Sequence, residues 1–540
     1  MTVFDYHDRT FHHLDRFARS LGHLDFATMP SPFRAYRHAP LLELPREHPD
    51  AWPPVAFDGL YFPGAVPAQR VDVRSIGSFL RYAMGLSAWK EAGHERWPLR
   101  VNPSSGNLHP TEAYVVSGAV EGVNDSPGVY HYRADLHALE TRCRLESEAT
   151  IPEAFLVGLA SIHWREAWKY GERAYRYCQH DVGHAIAALA FSASLLGWDL
   201  AVLPGWSDVA VAALLGIDRP APDGESEDAD CLVLVSPGPL DRDRLPAESS
   251  ALVASAREAE WLGTPSRLSE GHVAWPVIDE VARAATKPPG ATALPRPEWP
   301  PTRRPMPPRT LDARTLILGR RSALDFDPAF TLGRADFVRM LERLLPQASA
   351  PWNALAWPPL VHLAVFVHRV EGVAPGLYAL PRSSLALIEL RAAARPEFQW
   401  RPAAGLPDDL PLFLLLEGDA RSAAARISCD QSIAGDSCFS LGMVAKFEEP
   451  IATFGSWFYR RLFWEAGTVG QVLYLEAEAA GVRGTGIGCY FDPAMHDLMG
   501  FESQAFRSLY HFTVGRPIED HRLLTRPGYD WEQLPRSTSR

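Results

Sequence analysis

One stretch of this chain is written twice. Phe155 to Gly197 realigns on Phe439 to Gly481 without a gap. Phe155/Phe439, Gly158/Gly442, Gly171/Gly455, Tyr175/Tyr459, Arg176/Arg460, Gly183/Gly467 and Gly197/Gly481 all match at one offset of 284 residues (455 minus 171). Upstream, Val120-Glu121-Gly122-Val123 followed by Pro127-Gly128-Val129-Tyr130 recurs as Val370-Glu371-Gly372-Val373 followed by Pro375-Gly376-Leu377-Tyr378. Such a duplication means that one unit folds twice in the same chain. Joining the two subunits of an obligate homodimer produces this pattern. A site lying between the subunits can then lose from each half the part that the other supplies.

The length of 540 residues suits two domains, and 46% hydrophobic with 22% charged residues is ordinary for a globular protein. A net charge of −12 argues against a nucleic-acid or anionic-membrane surface. Six cysteines contain no C-x-x-C pair, which disfavours a zinc ribbon or a thioredoxin-like dithiol. No apolar run is long enough to span a bilayer, and Met1 to His7 carries no secretory signal. These features lead us to expect a soluble protein with free thiols in a reducing, cytoplasmic compartment.

Four segments follow from the pattern: an N-terminal extension (1–60), a first repeat (61–264), a Pro-rich linker (287–308) and a second repeat (309–540). The extension reads as a short helix around Phe11 to Leu21, then the Pro-broken segment Pro30 to Arg34. In the first repeat, helical apolar spacing covers Val73 to Leu86, and Ala113–Val116, Val129–Tyr130 and Cys231–Val235 read as strands. Gly183 to Leu196, rich in Ala and Leu, predicts a buried helix, and Asp223 to Asp228 a solvated acidic loop. In the second repeat, helices are expected over Asp336–Leu345, Ser440–Phe447 and Val469–Ala480. Strands are expected over Val361–Val367, Leu412–Leu416 and Leu509–Val514. The fold class is α+β, each half holding one long hydrophobic helix.

Several motifs could carry chemistry. Arg100 to Asn107 (Arg-Val-Asn-Pro-Ser-Ser-Gly-Asn) offers hydroxyls, amides and a close backbone for a flat ligand, although Pro-Ser-Ser-Gly is also common turn chemistry. Gly319-Arg320-Arg321-Ser322 suits a phosphate, or is simply a solvated basic pair. His180 and His184 have the spacing of a helical zinc site, but Asp181 replaces the usual Glu and no third ligand is signalled, so no metal is expected. Gly435-Asp436-Ser437 suggests a lipase nucleophile without a fitting Asp-x-x-His, and Gly484-Thr485-Gly486-Ile487-Gly488 is not a dinucleotide fingerprint.

Together the pieces resemble the nitroreductase superfamily of flavin enzymes, and within it the SagB-type (thiazole/oxazole-forming) dehydrogenase branch. The resemblance rests on Tyr6 to Thr10, Leu24 to Ala27, Pro32 to Tyr36, Pro103 to Pro110, Trp168 to Tyr177 and Cys429 to Ser437. It implies FMN in a cleft between two repeats. Arg320, Arg321 and Ser322 of one repeat would hold the phosphate, and Arg100, Pro103, Ser104, Ser105 and Asn107 of the other would line the flavin. The segment Gly486-Ile487-Gly488 would pass near flavin N5, and Arg516 would reach the phosphate. The basic residue usual two positions after the Ser is here Leu324, which shifts weight onto Arg320, Arg321 and Arg516. Each element occurs in one half only: nothing basic stands near Gly59-Leu60-Tyr61, and the Ser/Asn element is lost near Asn353 to Trp357. One complete site and one ruined site are expected.

Lys169 and Tyr170 occupy the place of the Lys-Tyr pair of azoline dehydrogenases, and their repeat partners are Thr453 and Phe454. Oxidising a C–C or C–N single bond delivers a hydride to flavin N5 and a proton to a base, which a desolvated lysine can be. The expected activity is oxidation of a heterocycle, azoline to azole, in a peptide or small metabolite. Two alternatives stand beside it. One is an NAD(P)H-dependent nitro or quinone reductase. The other is a non-catalytic flavin-binding subunit among biosynthetic partner proteins, against which the Lys169-Tyr170 pair argues. The chain should form its own pseudo-dimer, with larger oligomers left open.

Overall fold

The computed structural model describes residues 1–146, 154–292, 294–295, 297 and 309–533. Of the Pro-rich linker, 298–308 and positions 293 and 296 lie outside the described residues.

Two seven-stranded sheets form the frame. The first holds β1 (Leu41–Glu43), β2 (Thr111–Ser117), β3 (Gly128–Arg133), β4 (Ala138–Arg144), β5 (Phe155–Ser161), β6 (Asp199–Val202) and β7 (Asp228–Ser236), in the order β1-β4-β3-β2-β5-β7-β6. The second holds β8 (Val361–Val367), β9 (Gly376–Leu380), β10 (Arg401–Pro402), β11 (Phe413–Glu417), β12 (Phe439–Lys446), β13 (Arg483–Ile487) and β14 (Phe506–Gly515), in the order β10-β11-β9-β8-β12-β14-β13. Apart from one edge strand each, the two orders are the same. Alternation along each strand explains the layering. Ala113 and Val115 of β2 enter a core shared with the second half, while Tyr114 and Val116 enter a core of the first half alone. Leu363 and Val365 of β8 join the shared core, and Ala364 and Phe366 a third one.

The shared core is organised by two long helices, α1 (Ala174–Leu195) and α2 (Tyr459–Ala479). They cross where each carries a repeat-matched glycine. A methyl group built on Gly183 would lie 2.2 Å from the Trp464 carbonyl oxygen, and one on Gly467 would lie 2.2 Å from that of His180. Gly183 matches Gly467, and His180 matches Trp464, at the same offset of 284. The contact is therefore reciprocal, as about a two-fold axis. Side chains add to it: Trp464 Nε1 donates to Gln179 Oε1 at 2.7 Å.

Both termini cross to the opposite half. The N-terminal helix Val3–Arg9 places His7 Nδ1 3.1 Å from the Tyr459 hydroxyl, and the His12 amide donates to Asp492. Near the C-terminus, Leu524–Pro527 pairs with Leu86–Ala92, which pairs with Glu95–Arg100. Asp492 is fully buried and holds Arg173 and Arg176 of the first half, each at 2.9 Å.

Three expectations are corrected. The short helix lies over Val3–Arg9, and no helix covers Phe11 to Leu21, a coil that buries Phe11, His12 and Ala18 but leaves Leu14 and Phe17 exposed. Ser440–Phe447 is not a helix but the central strand β12, whose apolar run reflects burial on both faces. The acidic stretch before β7 is not wholly solvated. Glu225 accepts the amides of Leu268 and Ser269 at 2.7 and 3.0 Å, and Glu227 accepts the Tyr114 hydroxyl at 2.7 Å, with Arg34 against both.

Candidate active site

Between the halves, where β13 meets the hairpin Leu86–Arg100, lies a cavity of about 460 Å³. That size suits a small-molecule or cofactor site. Of the residues singled out in the sequence, Arg100, Pro103, Ser104, Ser105, Asn107, Tyr170, Arg320, Arg321, Ser322, Gly486, Ile487 and Gly488 line it. Segments more than 200 residues apart in sequence thus line one cavity.

The turn Pro103 to His109 is shaped by left-handed backbone at Gly106, Asn107 and His109 (φ 59°, 61° and 53°). At Gly106 a side chain is excluded, since a Cβ would sit 2.5 Å from the Tyr170 hydroxyl oxygen. Asp181 of α1 holds the turn by accepting the Ser105 amide at 3.1 Å, and Asn107 Nδ2 donates to the Pro98 carbonyl at 2.7 Å. Arg100 is buried, donating to the carbonyls of Thr111 and Pro32. It is a strut of this wall as much as a ligand donor.

Opposite stands the arginine pair, at the end of the helix Ala313–Gly319. Arg320 is 4% exposed, stacks 4.9 Å from the Tyr474 ring centroid and donates to the Arg100 carbonyl, while its Nε has no partner. Arg321 donates to the carbonyls of Leu318, Arg320 and Ser87. Among the described residues, neither guanidinium lies within ion-pair distance of a carboxylate. Burial weakens the hold of both on their protons, and Arg320 beside it brings Arg321 down to about 10. A buried and a half-buried cation side by side, with the Glu478 carboxylate near but not in ion-pair contact, suit an anion. Lys90 also lines the cavity, whereas Arg483 on its wall is paired with Glu519 at 2.8 Å. Arg516 does not line it: it is exposed, with its guanidinium 5.1 Å from the Phe330 ring. Its strand β14 runs past the cavity before position 516, and Leu324 lines the cavity where a basic residue was noted as missing.

Tyr474 of α2 was hidden in a buried helical pattern, yet it ties the site together. Its hydroxyl lies 3.0 Å from Ser322 Oγ and accepts the Gly486 amide at 3.0 Å.

Beneath the Gly106 turn, Tyr170 faces the cavity and Lys169 lies behind it. Lys169 is half-buried, with Nζ 5.3 Å from the Tyr170 ring centroid. Two buried carboxyls that the sequence reading passed over complete this group. Burial pushes Asp181 up to about 7. Burial, and then the neighbouring Asp181 charge, push Glu166 well above the usual carboxylate range, and its Oε2 has no hydrogen-bond partner. His180 and His184 are engaged elsewhere: Nε2 of His180 meets the Leu509 carbonyl at 3.0 Å, and that of His184 the Tyr510 hydroxyl at 3.2 Å. Ser437 is fully buried and donates to the Ala434 carbonyl.

A second cleft lies between the halves, lined by Phe62 to Ala68, Gly197 to Leu200 and Ala348 to Asn353 among others. Its Gly197–Leu200 edge is the repeat partner of Gly481–Gly484. At about 650 Å³ it is larger than the first, but its chemistry differs. The charged side chains among its lining are Asp199 and Arg242, bonded to each other at 2.7 Å. Volume alone would favour this cleft, whereas the free cations and convergent polar groups favour the other.

Residues 69–225 match the nitroreductase family model. Among solved structures, a protein assigned as a nitroreductase from Anabaena variabilis aligns over 95% of this chain and 99% of its own, with TM-score 0.68 and 20% identity. The whole chain therefore has a nitroreductase-like fold. A chain of the E. coli microcin synthetase McbBCD complex aligns over 36% of this chain and 71% of its own (21% identity, TM-score 0.26). A protein assigned as a nitroreductase from Ralstonia eutropha aligns over 42% and 97% (17% identity, TM-score 0.28). No curated protein matches the chain. Among the described residues, no helix is long and apolar enough to cross a membrane.

Proposed function

We propose that this protein is an FMN-dependent oxidoreductase built as an intramolecular pseudo-dimer of two nitroreductase-like repeats, with one working site. One observation carries the reading. The arginine element of the second half and the Pro-Ser-Ser-x-Asn element of the first converge on one cavity, while the repeat-related cleft holds neither. The residues fit the cofactor. The partnerless Arg320 Nε and the uncompensated guanidinium pair suit its phosphate, and the glycine-bearing walls at Gly106 and Gly486–Gly488 admit a flat ring system.

FMN, when bound, supplies a two-electron acceptor. The chain's own residues then handle position and protons. Arg320 and Arg321 anchor the anionic end, and Tyr474 fixes Ser322 against Gly486 so that both walls keep their separation. Tyr170 presents its hydroxyl to the cavity, and burial keeps it protonated. Beside it, the half-buried Lys169 and the buried carboxyls of Glu166 and Asp181 form the group to which we assign the proton that a substrate releases on oxidation. This arrangement supports dehydrogenation of a heterocycle of the azoline type, in a peptide or small metabolite.

The test is to quantify flavin released from the purified protein. One FMN per chain is expected. Two per chain would show that the second cleft is intact and sink the single-site reading.

A further inference from the structure

Two thiols meet at the cavity wall. Cys489 follows Gly488 and lines the cavity, and its Sγ lies 2.8 Å from that of Cys429. Both are partly exposed, whereas Cys143, Cys178, Cys231 and Cys438 are buried. The approach is built into the fold. Cys429 and Asp430 both adopt left-handed backbone (φ 56° and 57°), a conformation that non-glycine residues seldom take twice in succession. This turn brings Cys429 back toward Cys489. Hydrogen bonds lace the two loops together on either side: the Phe491 amide donates to the Ile427 carbonyl at 2.8 Å, and Gln431 Nε2 donates to the carbonyls of Ser428 and Cys489 at 2.7 and 3.1 Å.

The environment makes the two sulfurs unequal. His12 Nδ1 accepts the Ala18 amide at 2.9 Å, and burial favours the neutral ring, so its remaining proton is on Nε2. That ring donates to Cys489. The Cys429 thiol and the His12 ring together bring Cys489 down to about 5, while Cys429 is pushed up by its thiolate neighbour. The His12 ring thus favours the thiolate at Cys489 and leaves the proton on Cys429. This is the division of roles that thiol–disulfide exchange requires.

We propose that Cys429 and Cys489 are a redox-active dithiol that closes to an intramolecular disulfide by exchange with low-molecular-weight disulfides, Cys489 being the attacking sulfur. The Cys489 thiolate attacks one sulfur of R–S–S–R, forming Cys489–S–S–R and releasing RS⁻. Cys429 then gives up its proton and attacks the Cys489 sulfur, which expels the second RS⁻. The two thiolates take up protons, so two cysteines are oxidised and one disulfide is reduced to two thiols.

The test uses the full-length protein and glutathione disulfide, and reads sulfur chemistry alone, so it is independent of the flavin reading. Wild type should lose two of its six thiols and fall in mass by two hydrogens, with peptide mapping joining Cys429 to Cys489 and dithiothreitol restoring both. Cys429→Ser should trap a stable glutathione adduct on Cys489, formed at least about tenfold faster than any adduct on Cys429 in Cys489→Ser. If all six thiols survive in wild type, or a different pair is joined, the dithiol is refuted. Equal adduct rates in the two variants would refute Cys489 as the attacking sulfur.

Discussion

Replacing both Arg320 and Arg321 by Ala should remove the phosphate anchor and little else of the flavin site. Each guanidinium is free of carboxylates and so has its charge available for a bound anion. A charge-assisted hydrogen bond contributes about 1.5–3 kcal/mol, which for the pair gives about 3–6 kcal/mol. FMN affinity should therefore fall by roughly two to four decades. The contacts these side chains make with protein are to carbonyls and to the Tyr474 ring, and losing them leaves no buried charge stranded. The apoprotein should accordingly keep its far-ultraviolet circular dichroism. Fluorescence titration of apoprotein with FMN and with riboflavin decides the matter. Riboflavin lacks the phosphate, so it should bind parent and variant almost equally. An equal loss for both flavins would mean that the arginines do not meet the phosphate, and the anion-site argument would fail.

Further outcomes are expected. The fragment Met1–Thr264, which lacks the arginine pair, should hold no FMN; native affinity in that fragment would end the composite-site model. Lys169→Ala and Tyr170→Phe should leave FMN content unchanged and slow substrate oxidation by roughly 10²-fold or more, with dithionite reduction of the flavin unaffected. Parental turnover in both would make the pair structural. Asp181→Asn should change how stability depends on pH. The folded-state value of about 7 exceeds the ordinary 3.8, so the proton is bound more tightly in the folded state. The associated stability is present below 3.8 and lost as pH rises through 7, at a slope of up to about 1.4 kcal/mol per unit. Denaturant melts across that window should fall more steeply for wild type than for Asp181→Asn, and parallel curves would contradict the assignment.

Much of the proposed site was legible because its pieces are short local motifs. Arg320–Ser322, Pro103–Ser105, Asn107 and Gly486–Gly488 line the same cavity. What escaped were groups whose position depends on tertiary packing. Asp181 and Glu166 sit on helices amid apolar neighbours, and nothing local shows that both point beneath the Gly106 turn. Tyr474 reads as one more aromatic of a buried helix. Cys429 and Cys489 are 60 residues apart, with no C-x-x-C spacing to flag them. Arg516 failed for the opposite reason: a strand end is easy to place in sequence, but the direction of its last side chain is not.

The misread segment Ser440–Phe447 shows what the duplication adds. Taken alone, Phe-Ser-Leu-Gly-Met-Val-Ala-Lys is an apolar run that either a buried helix or a buried strand could produce. Its partner at the offset of 284, Phe155–Ser161, is Phe-Leu-Val-Gly-Leu-Ala-Ser, and both are central strands of their sheets. The two versions share a Phe and a Gly, and each Gly lies against the core of its own half: a Cβ on Gly158 would meet Leu215, and one on Gly442 would meet Met495. A helix in one copy and a strand in the other cannot both satisfy a common ancestor's packing, so the repeat is itself a constraint on every local assignment. The same constraint explains the two clefts. Folding the unit twice makes both of them, and the shape of the second persists because it follows from the shared frame. The residues proposed to bind in the first cleft have no counterpart there, where the lining holds Asp199, Arg242 and mostly apolar and small residues.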